Sequence, residues 1–241
     1  MIPLRDTIPS DRFPAVTVTL ICINALIFLA EINIGLESGE VDSIFHRWGI
    51  IPLRFTHPRF QSGFNYVTLL SSMFLHGGWM HVAGNMWSLW IFGDNVEDRM
   101  GRTGFLCFYL LSGLAAGVGH VLTNPYSSVP TVGASGAIAG VMGAYLLLFP
   151  HARVVTLIPI VIFLQVVHLP AVFFLGFWFL SQVFSGAISL ATSGQNSGGI
   201  AWWAHIGGFV VGVLWALVLK QRTPRRLQRT SRYHNDDDDW W

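Results

Sequence analysis

A serine lies in a glycine-rich turn, Gly133-Ala134-Ser135-Gly136, at the start of an apolar segment that ends at Phe149. A serine at this position can cap the helix that follows, or it can be a nucleophile on an exposed turn with backbone N–H groups beside it. The turn alone favours the cap, because serine is among the commonest N-cap residues. The choice depends on which other reactive side chains reach the same place in the fold.

Three further residues supply the groups that a nucleophilic serine needs. His205 could act as the general base. His81 and Asn85 are four residues apart, so they share one helix face and both can donate hydrogen bonds to the oxyanion of an attacked carbonyl. The backbone N–H of Ser135, at a helix start, is a third donor. No acidic residue is placed to orient His205, which predicts a Ser–His dyad and not a triad.

The composition indicates the environment that positions these side chains. Of the 241 residues, 52% are hydrophobic and 11% are charged, and the mean hydropathy is +0.52. A soluble domain carries about 25% charged residues and could not bury so much apolar surface. The sequence therefore predicts a polytopic membrane protein. The net charge of +1 points to no nucleic-acid partner, and Cys22 and Cys107 lie in apolar segments as free thiols.

Six apolar segments are expected to span the membrane, whose ~30 Å hydrocarbon core needs ~20 helical residues. The predicted spans are 16–34, 81–96, 104–123, 135–149, 169–190 and 200–219. Residues 1–15 are expected to form a short cytoplasmic leader, and residues 221–241 a polar, disordered cytoplasmic tail. The predicted fold is an all-α membrane protein, a six-transmembrane-helix bundle over residues 16–220 with both termini in the cytoplasm.

Two connections are longer than turns. Residues 35–67 mix aromatic and basic side chains, which suits a folded loop at the membrane interface. Residues 154–168 are apolar and β-branched, but fifteen of them are too few for a comfortable span. We expect this second connection to be extended, and either interfacial or re-entrant.

Basic residues determine the predicted orientation. Arginines lie in the C-terminal tail and in the turns 97–102 and 150–153. The loops 124–132 and 192–199 hold none. The positive-inside rule therefore places both termini in the cytoplasm, although the 35–67 loop carries arginines on the outer side.

In this topology the second, fourth and sixth spans run from the outer to the inner side. His81 and Asn85, Ser135, and His205 then lie near the outer leaflet at similar depth. The fourth span has about 15 residues and covers roughly 22 Å, less than the ~30 Å hydrocarbon core. Ser135 should therefore lie below the membrane surface, in a depression that water enters from outside.

Small residues recur at every fourth position on the fourth and sixth spans. They are Gly136, Gly140 and Ala144 on the fourth, and Ala204, Gly208, Gly212 and Ala216 on the sixth. Such stripes let helix backbones approach closely in a membrane, although they are common in polytopic proteins. Close contact here would bring Ser135 within hydrogen-bonding reach of His205.

Three motifs lie on these alternate spans. They are His81-x-x-x-Asn85, Gly133-Ala134-Ser135-Gly136 and Ala204-His205-Ile206-Gly207-Gly208. Together they resemble the motifs of the rhomboid family of intramembrane serine proteases, and the resemblance covers roughly residues 16–220. It implies an enzyme of the lipid bilayer that cleaves single-span membrane proteins near the outer face through an acyl-enzyme, without a metal or other cofactor.

The resemblance also assigns roles to individual residues. It implies that Ser135 is the nucleophile, that His205 is the general base, and that His81 and Asn85 form the oxyanion hole with the Ser135 amide. Small residues around the site would have structural roles. They are Gly133, Gly136, Gly208 and Gly212.

The chain departs from the family pattern at two places. Many members carry a tyrosine four residues after the serine, where it stacks on the histidine, but this chain has Ala139. Some other aromatic residue must then orient His205. In the 35–67 loop, Arg47 precedes Trp48, the reverse of the order common in the family.

Other interpretations stay open. A non-catalytic rhomboid-like protein could bind client membrane proteins, but such proteins usually lack the serine or the histidine. A transporter would show a chain of charged residues within its spans or an inverted repeat, and neither is visible. Glu31 is the one acidic residue near a span, close to the outer interface. Four histidines could in principle bind a metal, but no acidic partner lies at their depth, so no metal site is predicted. They are His76, His81, His120 and His205.

The location of the protein is also predicted. No organellar transit peptide or large extra domain is visible, so we expect the protein to reside in a prokaryotic plasma membrane. The sequence does not indicate its oligomeric state.

The fifth span carries a group of aromatic residues that faces lipid or forms a lateral gate for substrates. They are Phe173, Phe174, Phe177, Trp178 and Phe179.

Overall fold

The computed structural model of the chain describes residues 1–38, 41–160, 163–191 and 201–222. The helices are α1 Ala15–Ser38, α2 Val41–Trp48, α3 Leu53–Thr56, α4 Gly63–Ser71, α5 Trp79–Met100, α6 Arg102–Thr123, α7 Ser135–Leu148, α8 Ala171–Ala191 and α9 Trp202–Arg222. Short 3-10 turns cover Pro58–Phe60 and Ser72–Phe74. Apart from its first two residues, the predicted tail 221–241 lies outside the described ranges.

Among the described residues, four helices are long and apolar enough to cross a membrane: α1, α6, α8 and α9. The helix α7 is apolar but has only 14 residues, close to the short fourth span that the sequence predicts. The helix α5 has 22 residues, but its last two turns carry Asp94, Glu97, Asp98 and Arg99. The prediction of a mostly helical membrane protein is confirmed, whereas the six-span count and the cytoplasmic termini stay predictions.

The prediction of an all-α fold is wrong, because the chain also contains a three-stranded antiparallel sheet. Its strands are β1 Ile2–Asp6, β2 Arg153–Ile160 and β3 Phe163–Pro170, in the order β1-β2-β3. Residues 154–160 and 163–168 are thus extended, as expected, but they form two paired antiparallel strands. β-Branched side chains favour this conformation, and Val154, Val155 and Thr156 on β2 are buried.

The N-terminal segment is likewise fixed to the rest of the fold. Its strand β1 pairs with β2, and the Pro3 carbonyl accepts a hydrogen bond from Trp87 Nε1 at 2.6 Å. At the start of α1, the buried carboxylate of Glu97 accepts the backbone N–H groups of Val16 and Thr17 at 3.0 and 2.8 Å. A carboxylate is favoured there because the first N–H groups of a helix have no partner within it.

The short helix α7 is the centre of the bundle and packs against α5, α6 and α9. Nearly all of its residues from Gly136 to Tyr145 are buried. A Cβ atom added to Gly208 would collide with the Gly136 carbonyl oxygen, and one added to Gly212 with that of Gly140. The close approach that the small-residue stripes predict is therefore present between α7 and α9.

Within the 35–67 connection, the described residues 41–67 form a folded segment that is hydrogen-bonded to the loop before α7. Ile50 and Thr131 exchange two backbone hydrogen bonds, of 3.0 and 2.8 Å. The Leu53 N–H also donates to the Ser127 carbonyl at 3.0 Å. These bonds hold the chain that leads into Ser135.

Candidate active site

Ser135 is the first residue of α7, and its hydroxyl points at a histidine. Its Oγ lies 2.8 Å from Nε2 of His205 on α9. Ala134 occupies the N-cap position, and no side chain caps the helix. Ser135 is therefore not the helix cap that its sequence context alone favours.

The turn before Ser135 requires a glycine. Gly133 has a φ of +131°, which L side chains rarely adopt. Its N–H donates to the Ser72 carbonyl at 2.8 Å. A Cβ at this position would lie 2.7 Å from Nε2 of His81 and 3.6 Å from Oγ of Ser135. Gly133 thus leaves room for His81 beside the serine.

The hydrogen bonding of His81 defines which ring nitrogen carries its proton. The Gly77 N–H donates to Nδ1 of His81 at 3.3 Å, so Nδ1 is an acceptor and Nε2 carries the hydrogen in the neutral ring. That Nε2 is the atom close to Gly133. His81 therefore presents a donor beside the Ser135 hydroxyl.

Asn85 lies one turn further along α5 and offers a second donor. Its side chain is buried, and its Nδ2 has no hydrogen-bond partner among the described residues. A buried donor without a partner costs about 1–3 kcal/mol, so such a group points to a bound species that uses it. Asn85 lines the same cavity as His81 and Ser135.

The cavity at this site has a volume of about 600 Å³. The four candidate residues of the sequence analysis, Ser135, His205, His81 and Asn85, all line it. Small side chains and glycines make up much of the remaining wall, including Gly84, Gly113, Ala116, Gly117 and Ala204. The cavity is large enough for the side chains around a scissile bond.

Sequence reasoning missed one residue of the site, Gln182 on α8. Its Oε1 lies 2.7 Å from Nδ1 of His205, and its side chain is 6% exposed. Acidic and aromatic side chains are the groups that the sequence analysis expects to orient a histidine, whereas Gln182 carries an uncharged amide. The sequence feature that could have identified Gln182 is its long polar side chain within the apolar segment Phe177 to Phe184.

The aromatic residues that replace the missing tyrosine are also identified. The ring of Trp178 on α8 lies 5.9 Å from the His205 ring, tilted by 35°. Trp202 meets the same ring edge-on at 6.3 Å. Ala139, at the position of the family tyrosine, is buried. His205 thus contacts two indoles that are remote from Ala139 in the sequence.

The other aromatic residues of α8 do not form one face. Phe173 and Phe177 are exposed, at 70% and 61%, whereas Phe174 is buried at 8%. Phe179 stacks on Phe209 of α9 with ring centroids 4.5 Å apart. Part of this group therefore packs inside the bundle, and the lateral gate stays a prediction.

Two further histidines, His76 and His120, make local contacts that do not involve Ser135. Both ring nitrogens of His76 lack hydrogen-bond partners in the described part of the chain, and its ring packs edge-on against Phe28 and His81. Burial, with a smaller effect of His81, lowers the pKa of His76 to about 4. His120 Nε2 bonds to Thr131 Oγ1 at 2.9 Å.

The described ranges contain no group of three or more His, Cys, Asp or Glu side chains that could hold a metal ion. The site chemistry that these ranges offer is therefore that of a hydroxyl, an imidazole and hydrogen-bond donors. That the protein works without a metal stays a prediction.

Comparison with known proteins places this arrangement in a family context. A family model described as a Rhomboid domain matches residues 63–222. The chain is 32% identical to "Rhomboid protein 1, mitochondrial" of Saccharomyces cerevisiae over 178 residues, 69% of this chain and 47% of that protein. It is 29% identical to "Presenilin-associated rhomboid-like protein, mitochondrial" of Homo sapiens over 171 residues, 65% of this chain and 40% of that protein. It is 38% identical to "Putative rhomboid protease YdcA" of Bacillus subtilis over 78 residues, 32% of this chain and 39% of that protein.

Each of these matches spans less than half of the relative's own length. Two of the relatives are mitochondrial by name, and the third is bacterial. The prediction of a prokaryotic plasma membrane therefore has no support from them, whereas an integral membrane protein is supported by the apolar helices.

Proposed function

This chain belongs to the rhomboid family, and from that premise we propose that it is an intramembrane serine endopeptidase with a Ser135–His205 dyad. Members of the family act on transmembrane substrates within the bilayer, and one relative is named as a protease. The observation that carries the proposal is the 2.8 Å contact between Oγ of Ser135 and Nε2 of His205. It is the nucleophile–base geometry of serine hydrolases.

In the proposed reaction, His205 Nε2 takes the hydroxyl proton as Ser135 Oγ attacks the scissile carbonyl carbon. The resulting oxyanion accepts hydrogen bonds from His81 Nε2, Asn85 Nδ2 and the Ser135 N–H. The tetrahedral intermediate collapses to an acyl-enzyme, and His205 gives the proton to the departing amine. Water then attacks the ester carbonyl as His205 takes one of its protons, and His205 returns that proton to Ser135 Oγ when the second tetrahedral intermediate collapses to the carboxylic acid product and the free serine.

Two hydrogen-bond donors on α5, His81 Nε2 and Asn85 Nδ2, support this scheme because both are available to donate to an oxyanion before a substrate binds. The Gly77 bond leaves the proton of His81 on Nε2, and Asn85 Nδ2 has no partner among the described residues. Donors that are already oriented stabilise developing negative charge without reorganisation during the reaction. Each would gain its hydrogen bond only when the oxyanion forms.

The proposed substrates are single-span membrane proteins with small or helix-breaking residues near the outer membrane face. Carbonyl groups within a helix are already hydrogen-bonded, so the substrate must unwind locally before Ser135 can attack. Glycine and proline reduce that cost.

Cleavage of a single-span substrate in liposomes, by the native chain and by Ser135→Ala, tests the proposal. We expect Ser135→Ala and His205→Ala to abolish cleavage. The matched control is Ser112→Ala, because Ser112 is buried on the neighbouring α6 and its Oγ has no hydrogen-bond partner within the described ranges. Cleavage that persists in Ser135→Ala would refute the dyad, and native protein that binds but never cuts the substrate would favour a client-binding role.

A further inference from the structure

We propose that Gln182 is a positioning residue that fixes the ring plane and the tautomer of His205. The inference rests on the proposed function, because it concerns the general base of that reaction. Gln182 touches neither the nucleophile nor the oxyanion donors in the contacts that define the site. It lies on the opposite side of the imidazole, where Oε1 meets Nδ1 at 2.7 Å.

The surroundings of the Gln182 amide determine which of its two ends faces the histidine. Its Nε2 lies 3.3 Å from the Trp178 carbonyl oxygen and 3.0 Å from Oγ of Ser181. The Ser181 hydroxyl itself donates to the Trp178 carbonyl at 2.6 Å, so its lone pairs are free to accept. Both neighbours are therefore acceptors for an NH₂ group, and the amide oxygen must face His205.

This orientation has a direct consequence for the imidazole. An amide oxygen only accepts hydrogen bonds, so Nδ1 of His205 must carry the hydrogen. In the neutral ring, Nε2 is then the unprotonated nitrogen, and it can accept the proton of Ser135. The opposite tautomer would direct an N–H at the hydroxyl and leave no base.

The burial of the pair explains why an amide can perform this task. Gln182 is 6% exposed and His205 is 8% exposed. A carboxylate at position 182 would have to be desolvated in the resting protein, which is costly without a permanent positive partner. A neutral amide orients the ring without that cost, although it stabilises the transient imidazolium less than a carboxylate does.

Trp178 adds a second constraint from the same helix. Its indole packs against the His205 ring at 5.9 Å, and its carbonyl holds the Gln182 amide. One turn of α8 therefore sets the ring through a tilted ring contact and a hydrogen bond to Nδ1. These two contacts replace the stacking that Ala139 does not provide.

The test compares Gln182→Met with Gln182→Glu. Methionine keeps the length of the side chain but cannot accept from Nδ1, whereas glutamate retains an acceptor there. We expect Gln182→Met to lower kcat about 100-fold, within the range for general acid–base catalysis, with KM for the substrate nearly unchanged. Gln182→Glu should keep kcat well above that of Gln182→Met, because it retains an acceptor for Nδ1, but it should lower the melting temperature, because its buried carboxyl must be desolvated or protonated. Gln165→Met is the matched control, because Gln165 lies on the exposed strand β3.

The second readout is the tautomer itself, measured by NMR on protein labelled with ¹⁵N-histidine and assigned by difference from His205→Ala. We expect the proton on Nδ1 in the native protein and in Gln182→Glu, and its loss from that site in Gln182→Met. A native proton on Nε2, or an unchanged kcat in Gln182→Met, would overturn the proposal. Because the spectrum is recorded without substrate, it judges the positioning role separately from the protease function, which the Ser135→Ala experiment judges.

Discussion

The carbonyl oxygen of Gly136 occupies the space where a side chain on Gly208 would begin. The same relationship repeats between Gly140 and Gly212 along the two helices. The backbones of α7 and α9 are thus in direct contact at the end of α7 that begins with Ser135. This contact sets the distance between Ser135 and His205.

Gly208→Ala is therefore expected to separate α7 from α9 and to abolish cleavage. Overpacked positions lose about 1–3 kcal/mol, so the melting temperature should fall as well. The control is Gly207→Ala, whose new Cβ would lie at an ordinary 3.8 Å from the Ala116 Cα, with no nearer atom among the described residues. Equal activity in the two variants, measured with one transmembrane substrate, would contradict the role of the contact.

Gly133→Ala is expected to eliminate activity, because the added Cβ would lie 2.7 Å from Nε2 of His81 and the backbone there has a φ of +131°. Gly101→Ala separates the two effects, since Gly101 has a φ of +74° but open space around its Cβ position. The control should lose stability but retain kcat. Thermal unfolding and cleavage rates of both variants provide the measurement, and a similar loss of kcat in both would count against the collision.

Asn85→Ala is expected to reduce kcat by about 10²–10³, the usual effect of removing one oxyanion donor. Stability should stay the same or rise, because the buried Nδ2 has no hydrogen-bond partner in the described part of the chain. Asn95→Ala, on the same helix, should show the opposite pattern. Asn95 Nδ2 donates to the Ile8 carbonyl at 3.0 Å, so its loss should cost about 1 kcal/mol and leave kcat unchanged.

A loss of stability in Asn85→Ala that matches its loss of activity would assign Asn85 a structural role instead. Parallel measurement of kcat and melting temperature in the two asparagine variants distinguishes these outcomes.

The stability of the protein should depend on pH through Asp6. Burial raises the pKa of this carboxyl from 3.8 to about 6, with the charge of Asp94 adding to the effect and the Tyr145 hydrogen bond opposing it. The folded state therefore binds the proton more tightly than the unfolded chain. Asp6 contributes stability that is fully present below about pH 3.8 and is lost as the pH rises through about 6.

The variant Asp6→Asn isolates this contribution, because the amide oxygen can still accept the Tyr145 hydroxyl that donates to Asp6 Oδ2 at 2.5 Å. We expect the melting temperature of the native protein to fall more than that of Asp6→Asn between pH 3 and pH 7, a window that contains both 3.8 and about 6. If the melting temperatures of the two proteins changed with pH in parallel, Asp6 would not be the cause of this pH dependence.

The motifs allowed much of the candidate site to be predicted from sequence. Ser135, His205, His81 and Asn85 are separated by up to 124 positions in the sequence, yet they line one cavity. Each has a side chain that is unusual within an apolar span, so its chemistry stands out against its surroundings. The small-residue stripes then indicated which two helices approach closely.

Gln182 and the sheet were not predictable in the same way. An uncharged amide in an apolar helix has several ordinary interpretations, and only the fold shows that it faces His205. The strand β1 lies in a polar segment whose partner β2 begins at Arg153. Pairing across such a distance depends on tertiary contacts, and local composition carries no sign of it.

The orientation of His205 depends on α8, through Gln182 and Trp178, whereas its distance from Ser135 depends on the contact between α7 and α9. The position of His205 and the orientation of its ring therefore depend on different pairs of helices. The position depends on α7 and α9, and the orientation depends on α8 and α9. A substitution in the glycine contact changes the first, and a substitution on α8 changes the second. Sequence variation on α8 can accordingly change the alignment of the His205 ring while Oγ of Ser135 and Nε2 of His205 stay at hydrogen-bonding distance.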